Sequence, residues 1–180
     1  MLPSIANTSN YRRNFIELAF FSVVWLCCAW FASRAPVIAI DVILIALVIK
    51  FLITKPSARH LIAILILSLI GICIDNLLAL GGFVSFANGD DVAQLTPFWL
   101  AFLWVFYIAT VPPIFARLNL SFGLLAIIGA VGGGSSYWGG AVFDAVALST
   151  PIWLSLLLIT MLWLIWFPAS VLAFRKFGVQ

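Results

Sequence analysis

Charge is what this sequence has least of: its 180 residues include nine Lys or Arg, six Asp or Glu and one His. With 65% of residues hydrophobic and a mean hydropathy of +1.23, too little polar surface remains to cover a water-soluble globule. A single histidine, His60, leaves no His-x-x-x-His pair, histidine box or His-Glu-x-x-His helix, and no Gly-x-Ser-x-Gly stretch occurs. No metal, cofactor or catalytic residue is expected, and any enzyme built here would depend on carboxylates and Tyr137. The three cysteines, Cys27, Cys28 and Cys73, lie in apolar stretches without Cys-x-x-Cys spacing and read as buried thiols. The few cations are spread along the chain, so no nucleic-acid footprint is present.

What is present is long apolar runs. A bilayer core about 30 Å thick takes about 20 helical residues, and six stretches qualify: 15–33, 36–54, 60–82, 97–117, 121–141 and 150–173. The expected fold is an all-α bundle of six transmembrane helices in one domain over 1–180, without a separate soluble domain. Runs of this length without alternation exclude a barrel. Arg12 and Arg13 precede the first run, but no small-x-small site follows it, so it reads as a span and not as a signal peptide. In a six-span threading Arg12, Arg13, Lys55, Arg59, Arg117, Arg175 and Lys176 share one side, while Arg34, Asp90, Asp91 and Asp144 fall on the other. The positive-inside rule then puts both termini in the cytoplasm.

Against this apolar background Asp75 and Asn76, in GICIDNLLALGG, stand out. An ionised aspartate at a helix centre costs about 2.5–3.5 kcal/mol to insert, so a partner, water or protonation must offset it. Counting about 1.5 Å per residue along each span puts Asp75 and Asn76, Asp41, Trp104, and Ser135, Ser136 and Tyr137 at one level near the outer face. Two readings follow: a shallow polar pocket opening outward and lined by Asp75, Asn76, Asp41 and Tyr137, or an Asp75 held by a hydroxyl or by Arg34 as a helix anchor. The fifth span carries small-residue rows at Gly129 and Gly133 and at Gly132, Ser136 and Gly140. Such rows let helices approach closely, and so many glycines would also permit local unwinding. Pro112-Pro113 predicts a kink or early end in the fourth span. Glu17 is one turn from Arg13, predicting a snorkelling ion pair near the cytoplasmic interface, and Lys50 can reach the same interface.

The order Asn14-Phe15 leading to Trp25, Gly71-x-x-x-Asp75-x-x-Leu78 with Gly82 and Phe86, Pro97-x-Trp99-Leu100 with Leu103-Trp104, Gly129-Ala130-x-Gly132-Gly133 and Ser136-Tyr137-x-x-Gly140-Ala141 resembles a bacterial inner-membrane family of small multi-span proteins, a domain of unknown function. The resemblance runs from about 14 to 170 and departs from the family pattern at Gly134 and at Pro112-Pro113. It implies residence in the bacterial inner membrane and a gene encoded near cyclopropane-fatty-acid-synthase-like methyltransferases and other lipid-modifying enzymes. The role expected is therefore an accessory or lipid-binding component of membrane-lipid metabolism, with a membrane lipid and either a membrane protein or a second copy as partners. The alternatives are a small-solute or proton transporter or channel using Asp75, and a structural subunit docked through the glycine rows.

Overall fold

A computed structural model of the chain describes residues 5–89 and 95–176. Six long helices follow one another: α1 (Ile5–Ala32), α2 (Pro36–Thr54), α3 (Ala58–Leu80), α4 (Phe98–Arg117), α5 (Phe122–Val142) and α6 (Ile152–Lys176). Five of them are long and apolar enough to cross a bilayer, which makes this a multi-pass membrane protein. The fifth helix, α5, matches the others in length, but its glycines, serines and Tyr137 dilute its hydropathy.

Helix ends follow turn chemistry. Pro36 begins α2, where its missing N–H is no loss. Lys55 closes α2 in the left-handed region, at φ 44°, with its N–H on the Phe51 carbonyl. Ser57 and Ser121 cap α3 and α5 by accepting from the N–H groups of His60 and Leu124. Of the kink or early end expected at Pro112-Pro113, the early end does not occur, and α4 runs on to Arg117. Both prolines are buried on the helix that four others surround, so packing holds the segment despite the two lost donors.

The central helix is α4, which touches α1, α2, α3 and α6. Buried residues make up 61% of its apolar window, against 22–39% for the other four spans, so α4 is the axis of the bundle. α5 packs along α6. Besides the helices there is a feature absent from the sequence reading. Strands β1 (Val84–Phe86) and β2 (Val146–Leu148) pair antiparallel, with Val84 opposite Leu148 and Phe86 opposite Val146. This ribbon joins the α3–α4 and α5–α6 connections and caps one end of the bundle. The Ser155 hydroxyl, donating to the Phe83 carbonyl at 2.8 Å, and the Asn88 amide, donating to the Ala32 carbonyl at 2.6 Å, fasten it to α6 and α1.

Charges separate by end. Arg12, Arg13, Lys50, Lys55, Arg59, Arg117, Arg175 and Lys176 all belong to the uncapped end, whereas Arg34 pairs with Asp144 beside the ribbon at 3.6 Å. Asp90 and Asp91 lie outside the described residues. The cysteines are free, but only Cys28 is fully buried, and Cys73 faces outward from α3, so burial holds for one of the three.

Two neighbouring glycines of α5 do different work. A β-carbon at Gly133 would fall inside the Trp163 ring of α6, and one at Gly129 would lie 2.5 Å from the β-carbon of Phe167. These two carry the close α5–α6 approach, as their spacing predicts. Gly132, expected to pack a helix as well, has nothing within 4 Å of its β-position because it turns away from α6. We expect Gly133→Ala to lower stability in detergent by about 1–3 kcal/mol through overpacking, and Gly132→Ala to be neutral or stabilising by up to about 1 kcal/mol. Equal losses at both positions in an unfolding titration would contradict this assignment.

Candidate functional site

Asp75 is the most deeply buried acid among the described residues, 1% exposed, on α3 one turn from the capped end. Its two oxygens have separate donors. The Trp104 indole of α4 donates to Oδ2 at 2.6 Å, and the Tyr137 hydroxyl of α5 donates to Oδ1. A glycine makes the indole's reach possible. A β-carbon at Gly71, one turn before Asp75, would strike the Trp104 ring, so its absence lets the indole lie flat on α3 and meet the carboxylate. Gly133 stands one turn before Tyr137 and receives Trp163 of α6 in the same way. The two seated indoles stack, with centroids 5.6 Å apart and planes at 14°. Tyr107 meets both edge-on.

This polar knot forms part of the wall of a cavity of about 270 Å³. One face of α4 from Trp99 to Phe115 is its floor, α1 forms one side through Leu18, Phe21 and Trp25, and α5 forms the other. The rise along α4 from Trp99 to Phe115 is about 24 Å, most of a bilayer's hydrocarbon thickness. The ribbon roofs it with Phe86 and Val146. The polar groups on its wall are few, Asp75, Tyr137 and Ser136 among them, and the Ser136 hydroxyl is already committed to the Gly132 carbonyl at 2.7 Å.

The cavity has an open side. At the capped end α1 and α5 are tied together: Arg34 donates to the Phe143 carbonyl at 3.1 Å, Trp30 meets Phe143 edge-on, and Trp25 lies against Gly139. Farther along, α5 leans on α6, and the exposed Gly132 leaves the gap between α1 and α5 unfilled. The result is a lateral groove.

The structure thus brings Asp75, Trp104, Tyr137 and Ser136 to one cavity and leaves two expected residues out of it. Asn76 faces another way, accepting from the Thr96 N–H and hydroxyl, each at 2.7 Å, and so anchors the start of α4 to α3. Asp41 is exposed on α2, away from the cavity. The cavity also differs from the polar pocket expected: its lining is largely apolar, and the ribbon covers the end where Asp75 lies. Arg34 is not the partner of Asp75, since it serves Asp144, Phe143 and Trp30. Gly132 and Gly140 line the groove. Missed in the sequence were Trp163 and Tyr107; the signal for Trp163 was a glycine one turn before Tyr137, matching Gly71 before Asp75.

At the uncapped end a second polar cluster was half legible. Glu17 lies 3.8 Å from Arg13, as the spacing predicts, but its nearest partner is the buried Lys50 of α2, at 2.7 Å, with Arg117 of α4 at 3.5 Å. Arg117 also donates to the buried Asn14 at 3.0 Å.

Because Trp104 and Tyr137 converge on one carboxylate, their effects should couple through it. Trp104→Phe and Tyr137→Phe should each cost about 1–2 kcal/mol, and the Tyr137→Phe cost should largely vanish in an Asp75→Ala background. Unfolding titrations in mixed micelles give the cycle; full additivity would show that the contacts carry no energy.

No curated protein matches the chain, and no solved structure does. A protein-family profile does, over residues 14–169, which takes in α1 from Asn14, the whole Asp75 knot and all but the last turns of α6. The chain therefore belongs to the family described as Protein of unknown function (DUF2878).

Proposed function

We propose that this protein is a lipid-binding component of the bacterial inner membrane, crossing it six times with both termini in the cytoplasm. The uncapped end, with eight of the nine cations, is the cytoplasmic one by the positive-inside rule, and the ribbon faces outward. The observation that carries the reading is the lateral groove: apolar, running through most of the hydrocarbon thickness of a bilayer, and open toward lipid between α1 and α5. An acyl chain fits such a space, and a volume of about 270 Å³ suits part of a lipid and not the whole molecule. Asp75 and Tyr137 set the polar point at the outer end. Both oxygens of Asp75 are already met by Trp104 and Tyr137, so the knot closes that end of the groove as a satisfied wall against which a chain can end.

The resemblance to proteins encoded near lipid-modifying methyltransferases points the same way, toward an accessory role that presents a lipid. Transport of a proton or small solute through Asp75 has less support, because the groove beyond Tyr107 is lined by Val111, Phe115 and Phe167 and supplies no polar path.

Native mass spectrometry of gently solubilised protein tests the reading. The wild type should carry lipid, and Gly132→Leu, which fills the groove without touching the knot, should retain several-fold less. A wild type free of lipid, or a Gly132→Leu variant that keeps all of it, would sink the proposal. Cysteines placed at Ser57 and Ser85 test the orientation: only the second should react with an impermeant thiol reagent in intact cells.

A further inference from the structure

The groove and the Glu17 cluster meet. Leu18, on the groove wall, is the residue after Glu17, and Phe115, on its floor, stands two residues before Arg117. These steps are about 1.5 and 3 Å of rise, which puts the cluster level with the groove's cytoplasmic end, and Arg117 reaches the groove side of α1 by donating to Asn14, one turn before Leu18 on the same face, at 3.0 Å.

That cluster is unbalanced. Three cations, Arg13, Lys50 and Arg117, lie within 3.8 Å of a single carboxylate, leaving two positive charges over. Lys50 is buried and takes the closest place on Glu17, so the surplus falls on the two arginines. Arg13 is half exposed and loosely held, and the Nε of Arg117 is buried without a hydrogen bond among the described residues. A third guanidinium is close: Arg175 of α6 donates to the carbonyl of Leu120, just past the end of α4, and its Nε is likewise buried and unbonded among the described residues. Surplus guanidinium charge and spare N–H groups beside an apolar slot match a phosphate attached to a hydrocarbon chain.

We infer that the groove takes an anionic glycerophospholipid from the cytoplasmic leaflet, its phosphate held at the mouth by Arg13 and Arg117 and one acyl chain running along α4 toward Tyr137. This rests on the lipid-binding reading and adds the leaflet, the headgroup charge and the direction in which the chain lies. The lipid enters sideways between α1 and α5, where the helices are apart, and the Arg34 and Trp30 contacts close the other end.

The test uses full-length protein in nanodiscs of equal phosphatidylglycerol and phosphatidylethanolamine with matched chains, followed by gentle extraction and native mass spectrometry. The wild type should retain phosphatidylglycerol over phosphatidylethanolamine by about fivefold or more, the weight of one arginine near an anionic surface. Arg13→Gln and Arg117→Gln should each bring that ratio toward one while total retained lipid stays the same, and Arg117→Lys should keep the preference. Arg13 is exposed enough that its substitution leaves the fold intact, so its result stands even if Arg117→Gln fails to fold. A wild-type ratio near one, or a preference indifferent to Arg13→Gln, overturns the headgroup assignment and leaves chain binding standing. Retention of neither lipid overturns chain binding itself.

Discussion

The carboxylate of Asp75, set where water is scarce, must be given donors by the protein, and the bundle is arranged around giving them. Helix association in a bilayer lacks the hydrophobic drive of water and depends on close packing and polar contacts, an interhelical hydrogen bond contributing about 0.6 kcal/mol on average. Asp75 gathers two such bonds, from α4 and from α5. The first depends on a missing side chain at Gly71, which lets the Trp104 indole lie against α3, and Gly133 seats the Trp163 indole on α5 in the same way. The Trp104–Trp163 stack then joins the two halves of the knot and draws α6 into it. One acid thus coordinates four helices.

Seating Trp163 on Gly133 commits α5 to α6, and that commitment opens the groove. With one face of α5 spent on α6, contact with α1 is left to the capped end, through Arg34, Trp30 and Trp25. The small-residue row of Gly132, Ser136 and Gly140, which would ordinarily welcome another helix, lines the cavity instead, with Gly140 against Val146 of the ribbon. Packing and cavity are two consequences of one arrangement.

Helices and their order were legible in the sequence because span length is set by bilayer thickness: α2 runs over Pro36–Thr54 as expected, and the other spans end within a few residues of the structural helices, apart from the start of α1, which begins at Ile5. The level shared by Asp75, Trp104 and Tyr137 was legible too, since rise per residue converts position into depth. Azimuth was not. Asp41 has a similar depth but points outward, and Asn76, adjacent to Asp75, turns some 100° away toward Thr96. The ribbon was hidden because two three-residue strands carry little pattern and gain their stability from pairing across a long separation in the chain. Lys50 as the main partner of Glu17 was hidden for the same reason: local spacing reveals Arg13, and only the fold brings α2 to α1.

The central claim is that the space between α1 and α5 is a lipid site and not a fault in packing. An experimental structure of the protein in lipid nanodiscs tests it most directly. We expect an elongated density alongside Gly132, with its headgroup end near Arg13 and Arg117 and its tail toward Tyr137. A groove closed by α1 lying against α5, with Gly132 packed on Leu18 or Phe21, would contradict the account.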